Sequence, residues 1–69
     1  MPIYLSAPNV PVTIREITGT DKIRGHLQNL GFIVGETITL INKVDDNVII
    51  KVKGVSLAIS RELAKRIII

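Results

Sequence analysis

Few side chains in this 69-residue chain could do chemistry, and they do not converge. His26 is the sole histidine. With Asp21 or Glu62 it would form a weak metal site, but Lys22 lies one helical turn before it. No cysteine or second histidine exists to complete a ligand set. The alternative is an exposed helix histidine, which needs no partner. Asp45 and Asp46 are adjacent carboxylates, the beginning of a hard-cation site. The further oxygen ligands such a site needs are missing, so a solvated hairpin tip is the simpler role. Ser56 and Ser60 have no neighbouring base to make either a nucleophile, and Ser60 is placed to cap a helical turn. Gly31-Phe32-Ile33-Val34-Gly35 has two glycines but follows a helical pattern, whereas loops that cradle phosphates precede one. The chain therefore reads as a non-enzyme with no catalytic residues, no cofactor and no metal ligands.

Two surface patterns remain. Lys43, Lys51 and Lys53 are expected on the outer face of one hairpin, with Arg61, Lys65 and Arg66 on the turn that follows. Small basic barrels bind nucleic acid in this way, with cations on phosphates and aromatics on bases. No aromatic is interleaved here, and lysines also protect a sheet edge from pairing, so a solvated face is the plainer reading. The second pattern is the apolar run Phe32-Ile33-Val34 in a helix-to-strand loop, where polar residues are usual. Either Phe32 and Val34 cap the core and Ile33 is left exposed, or the run is a docking edge for a partner. In the second case Ile49 and Ile41, which the alternation also turns outward, would join it.

The elements that must position these residues follow from periodicity. Ile23, Leu27 and Leu30 sit at i, i+4 and i+7 on one helix face, with Thr20 or Asp21 available as cap. Gly31 then fits a left-handed stop, with Phe32 folded back over Leu27. Gly25 inside the helix leaves a bare patch of backbone. Pro2, Pro8 and Pro11 make the first eleven residues irregular, laid against the body through Ile3, Tyr4 and Leu5, with a turn at Pro8-Asn9. Val10, Val12 and Ile14 alternate as a strand, and the slip to Ile17 suggests a bulge near Arg15-Glu16. After Gly35, the residues Ile38, Leu40 and Val44 point inward along a second strand. Asp45-Asp46-Asn47 turns the chain into a third, with Val48, Ile50 and Val52 inward. Gly54 makes the next turn, Val55, Leu57 and Ile59 form a fourth strand, and Arg61-Glu62-Leu63-Ala64 form a helical turn. Ile67-Ile68-Ile69 closes as a fifth. The fold class is mainly β: a small barrel of about five strands, one helix after the first and a short helical turn before the last. Strands this short avoid open edges by curling into a barrel.

Composition agrees. The chain makes one domain, residues 1–69, rich in Ile and Val, which favour strands. A chain this short buries only about 60% of its unfolded surface, too little for a deep cleft. Without cysteine it has no disulfides and no thiol redox chemistry. No run approaches the roughly 18 apolar residues that span a bilayer, and the start lacks a signal-peptide pattern, so a cytoplasmic location is expected. The net charge of +3 suits an acidic partner.

The run Ile23-Arg24-Gly25-His26-Leu27-Gln28-Asn29-Leu30-Gly31-Phe32-Ile33-Val34-Gly35-Glu36 resembles the signature of the FeoA family: a helix ending in Leu-x-x-Leu-Gly, an apolar residue, then a second glycine before a strand. Val52 through Ile67 is similar to that family's closing segment. Val34 stands where the family often has proline, Asn9 where glycine is common, and Gly25 where a longer polar residue is usual. The resemblance implies a small cytosolic SH3-like barrel, similar also to the third domain of DtxR-type regulators. It further implies an accessory role in ferrous iron uptake, through contact with a FeoB-like membrane transporter that has a cytosolic GTPase domain. Docking residues would be Phe32, Ile33, Val34 and Ile49, with Gly31, Gly35 and Gly54 as structural turns. The rivals are a nucleic-acid-binding barrel and a metal-responsive regulatory domain.

Overall fold

Two small antiparallel sheets share the strands of the molecule, and the chain passes from one to the other between Ile14 and Arg15. The computed structural model describes Met1–Ile69. A 3-10 turn, Ile3–Leu5, precedes β1 (Pro11–Thr13) and β2 (Glu16–Ile17). Helix α1 (Asp21–Asn29) follows, then β3 (Thr37–Val44), β4 (Asn47–Val52), β5 (Val55–Ser60), α2 (Arg61–Ala64) and β6 (Ile67–Ile68). One sheet runs β1-β3-β4-β5 and the other pairs β2 with β6. No helix is long and apolar enough to cross a membrane.

The expected first strand is thus two strands, and the chain has six in all. The phase slip is real but larger than a bulge. The Ile14 N–H donates to the Glu36 carbonyl at 2.9 Å and the Ile14 carbonyl accepts from Gly35 at 2.9 Å, on the β3 side. One residue later the Arg15 N–H donates to the Ile68 carbonyl at 2.7 Å, on the β6 side. A strand that changes sheets turns its side chains with it, so Ile14 and Ile17 are both buried although three residues apart.

A second correction lies in β3. The register with β4 shifts between Leu40 and Asn42, so Lys43 faces Val48. A one-residue slip exchanges the faces of everything after it. Val44, expected inside, is 45% exposed, and Lys43 leaves the outer face and joins the side of Val48. Both flanking turns have two residues: Asp45-Asp46, with Asp45 at φ 54°, and Lys53-Gly54, with φ 52° and 78°. Asn47 belongs to β4 and not to the turn.

Thirteen apolar residues form the core, among them Ile3, Leu27, Phe32, Leu40, Ile50 and Ile67, all fully shielded. Burying a side chain of this size contributes about 1.5–3 kcal/mol relative to leaving it in water. Ile3 anchors the N-terminal segment as expected, whereas Leu5 points out at 60% exposure. Val55, at the start of β5, is also exposed.

Candidate functional site

The loop from Gly31 to Glu36 is fixed by two hydrogen-bonded turns in succession. Thr20 opens α1, its Oγ1 accepting from the Ile23 N–H at 3.3 Å. The helix closes when the Phe32 N–H donates to the Leu27 carbonyl at 3.0 Å and the Gly31 N–H to the Gln28 carbonyl at 2.9 Å. This pair of bonds satisfies two orphan carbonyls and requires the positive φ of Gly31, 104°. A second turn follows at once. The Glu36 N–H donates to the Ile33 carbonyl at 2.9 Å, with Gly35 at φ 94° in the position where a type II turn demands glycine.

Between these two fixed turns the three apolar residues separate. Phe32 is fully buried and belongs to the core, so it is withdrawn from the candidate docking surface. Ile33 and Val34 remain outside, 41% and 58% exposed. Ile49 does not join them. It is half-buried on the outer face of β4 opposite Asn42, roughly 17 Å along β3 from the tip at the ordinary strand rise. Ile41, at the bulge, lies toward that same distant end.

Val34 instead borders a cleft of about 420 Å³ between α1 and β2, whose walls include Arg15, Glu16, Asp21 and Gln28. Gly25 lines it as well, and a Cβ added there would meet nothing within 4 Å. Arg24 and Asp21 form an exposed ion pair beside it, an arrangement that contributes at most about 1 kcal/mol.

The other residues singled out by type stay apart. His26 is exposed on α1, and no three His, Cys, Asp or Glu side chains gather to hold a metal. Asp45 and Asp46 are exposed on their hairpin turn. Ser60 caps α2, accepting from the Leu63 N–H at 3.3 Å, and Ser56 is exposed on β5.

One cluster escaped sequence reasoning. Lys43 Nζ lies 4.4 Å from the centre of the Tyr4 ring, and the Arg61 guanidinium lies 5.7 Å from it. Arg61 also donates to the Tyr4 hydroxyl at 3.4 Å. That hydrogen bond, aided by the charges of Arg61, Lys43 and Lys65 and opposed by partial desolvation, lowers the phenol below its ordinary pKa. The signal was Tyr4 itself, the one tyrosine in the chain. Its partners became visible with the β3 bulge, which parts Lys43 from the face of Lys51, while Lys53 lies in the β4–β5 turn and not on that face.

The sequence matches one domain family along its length: the FeoA domain aligns with residues 1–69. The chain belongs to the FeoA family. The crystal structure of an iron uptake regulatory protein, also a FeoA, shares the fold at a TM-score of 0.88 and 29% identity, over 97% of this chain and 91% of that one. The zinc complex of FeoA from Stenotrophomonas maltophilia, a prokaryotic SH3 domain protein, matches at 0.83 and 20% identity over 99% and 87%. A manganese-dependent transcriptional repressor matches at 0.87 with 7% identity, over 97% of this chain but 39% of its own length, a likeness of fold alone. No curated protein matches in sequence. The SH3-like reading of this FeoA chain therefore holds, with the first strand divided between two sheets.

Proposed function

We propose that this FeoA-family protein is an accessory factor of ferrous iron uptake. It binds and modulates a FeoB-type transporter through protein contact on the cytoplasmic side and carries out no catalysis of its own. The observation that carries the reading is the family match along the full described chain. The site it favours is the tip formed by Ile33 and Val34, held outward between two glycine turns and continuous with the cleft over Gly25. Large apolar side chains fixed in water by a rigid loop gain about 25 cal/mol for each Å² that a partner covers.

The test replaces Ile33, which is outside the core. Ile33→Asp is expected to leave thermal unfolding nearly unchanged, weaken binding to the cytosolic part of a FeoB-like transporter about tenfold, and lower iron uptake in cells. The companion variant reverses Lys51 and Lys53 to glutamate. If charge reversal abolishes uptake while folded Ile33→Asp keeps full binding and uptake, the apolar contact is wrong and an electrostatic one replaces it. A nucleic-acid role would show itself as binding that collapses steeply with added salt, which docking through the tip would not do.

A further inference from the structure

Strand β5 breaks a rule that the rest of the molecule observes. A strand at a sheet edge offers unpaired N–H and C=O groups to any other strand, and soluble proteins blunt such edges with charges, prolines, bulges or brevity. The opposite edge, β1, has three residues and begins with Pro11. β5 runs six residues, Val55-Ser56-Leu57-Ala58-Ile59-Ser60, with no charge, no proline and an unbroken register against β4. Its sole neighbour in the sheet is β4.

The backbone groups left free can be named. The two-residue turn Lys53-Gly54 makes Val52 and Val55 the closing hydrogen-bonded pair of their hairpin. Alternation then bonds Ile50 with Leu57 and Val48 with Ile59, while Lys51 with Ser56 and Ile49 with Ala58 are non-bonded pairs. The N–H and C=O of Ser56 and of Ala58 therefore point away from β4. No backbone bond outside the regular elements and no side-chain bond reaches residues 55 to 59.

We infer that this edge pairs with β5 of a second copy of the chain, antiparallel about a two-fold axis through Leu57. In that register Ser56 faces the partner copy's Ala58 and exchanges two hydrogen bonds with it. The symmetric pair adds two more, so every free group of Ser56 and Ala58 is satisfied. Side chains match in size on both faces: serine meets alanine outside, while Leu57 meets Leu57 and Val55 meets Ile59 inside. Val55, 56% exposed in the single chain, is covered. The strand has no charge with which to select an acidic or basic peptide, and its pattern is its own complement, which is what an isologous interface requires. Each copy carries a net charge of +3, so mutual repulsion opposes pairing and added salt strengthens it.

The chain lacks cysteine, so introduced thiols report the register directly. Ser56→Cys and Ala58→Cys are made separately, mixed and oxidised. Opposed Cα atoms in a hydrogen-bonded pair lie about 5.5 Å apart, within disulfide reach. Two copies of the same variant place their thiols two residues out of register, beyond about 7 Å. The expected result is a covalent dimer from the mixture and little from either variant alone. Sedimentation of the unaltered chain should shift from 7.6 kDa toward twice that mass as concentration and salt rise. Ala58→Lys should hold the monomer without lowering thermal stability. The inference is overturned if the unaltered chain sediments as a monomer throughout. It is also overturned if the mixture cross-links no faster than an exposed control, Thr13→Cys.

Discussion

Tyr4 shows how a single residue acquires a role from its neighbours. Arg61 donates to its hydroxyl and Lys43 lies over its ring, so the phenolate is favoured in the folded state. A phenol whose folded pKa is depressed contributes no stability below that pKa. The contribution grows as pH rises through the folded value and is complete above the ordinary phenol value. Because Tyr4 is the one tyrosine, ultraviolet titration reads it without interference. Its midpoint should lie below the ordinary phenol value and return toward it in Arg61→Met. An unchanged midpoint in that variant would show that the contact with Arg61 does not set the shift. The sequence indicated that Tyr4 would lie against the body, but not beside which cations. Lys43 sits at an alternating position that reads as outward, and the bulge two residues earlier carries no glycine or other local mark.

At the scale of elements, the end of α1 was legible because two independent demands coincide there. Gly31 needs positive φ, and Phe32 supplies the apolar contact that folds the chain back. Gly25 carries no such demand. In chemical denaturation Gly31→Val should cost on the order of 1–3 kcal/mol, from strain at φ 104°. Gly25→Ala should gain about 0.5–1 kcal/mol from helix propensity. Equal losses would place the helix boundary elsewhere. The next turn explains why proline suits position 34: it precedes the positive-φ glycine of a type II turn, where proline is favoured. Val34→Pro should therefore stabilise by about 0.4–1 kcal/mol, by restricting the unfolded chain. The division of the first strand was only half legible. The slip from Ile14 to Ile17 is present in the sequence, but a bulge and a change of sheet produce the same phase error, and only the partners of Ile14 and Arg15 tell them apart.

For the molecule as a whole, strand order and barrel class could be read because alternation holds from Thr37 to Leu40 and again from Asn47 to Ser60, with turn residues between the strands. The candidate surface was harder to read. Three consecutive apolar residues in a loop do not announce which one turns inward, and grouping Ile49 with them required a distance that only tertiary structure sets. The Ile69 N–H donates to the Met1 carbonyl at 2.7 Å, the Met1 amino group donates to the Ile69 carbonyl at 3.1 Å, and Pro2 bridges Ile68. The path of the chain is thus almost a ring, and the point at which the ring is opened is interchangeable. A circular permutant that joins residue 69 to residue 1 through a short glycine linker and opens at Lys53-Gly54 should refold with the native far-ultraviolet spectrum. Failure to do so would show that the β4–β5 turn is needed to start folding. By the same geometry, polypeptide attached at either end leaves from one spot on the surface, so this barrel can be spliced into a larger protein as a single side branch without parting its sheets.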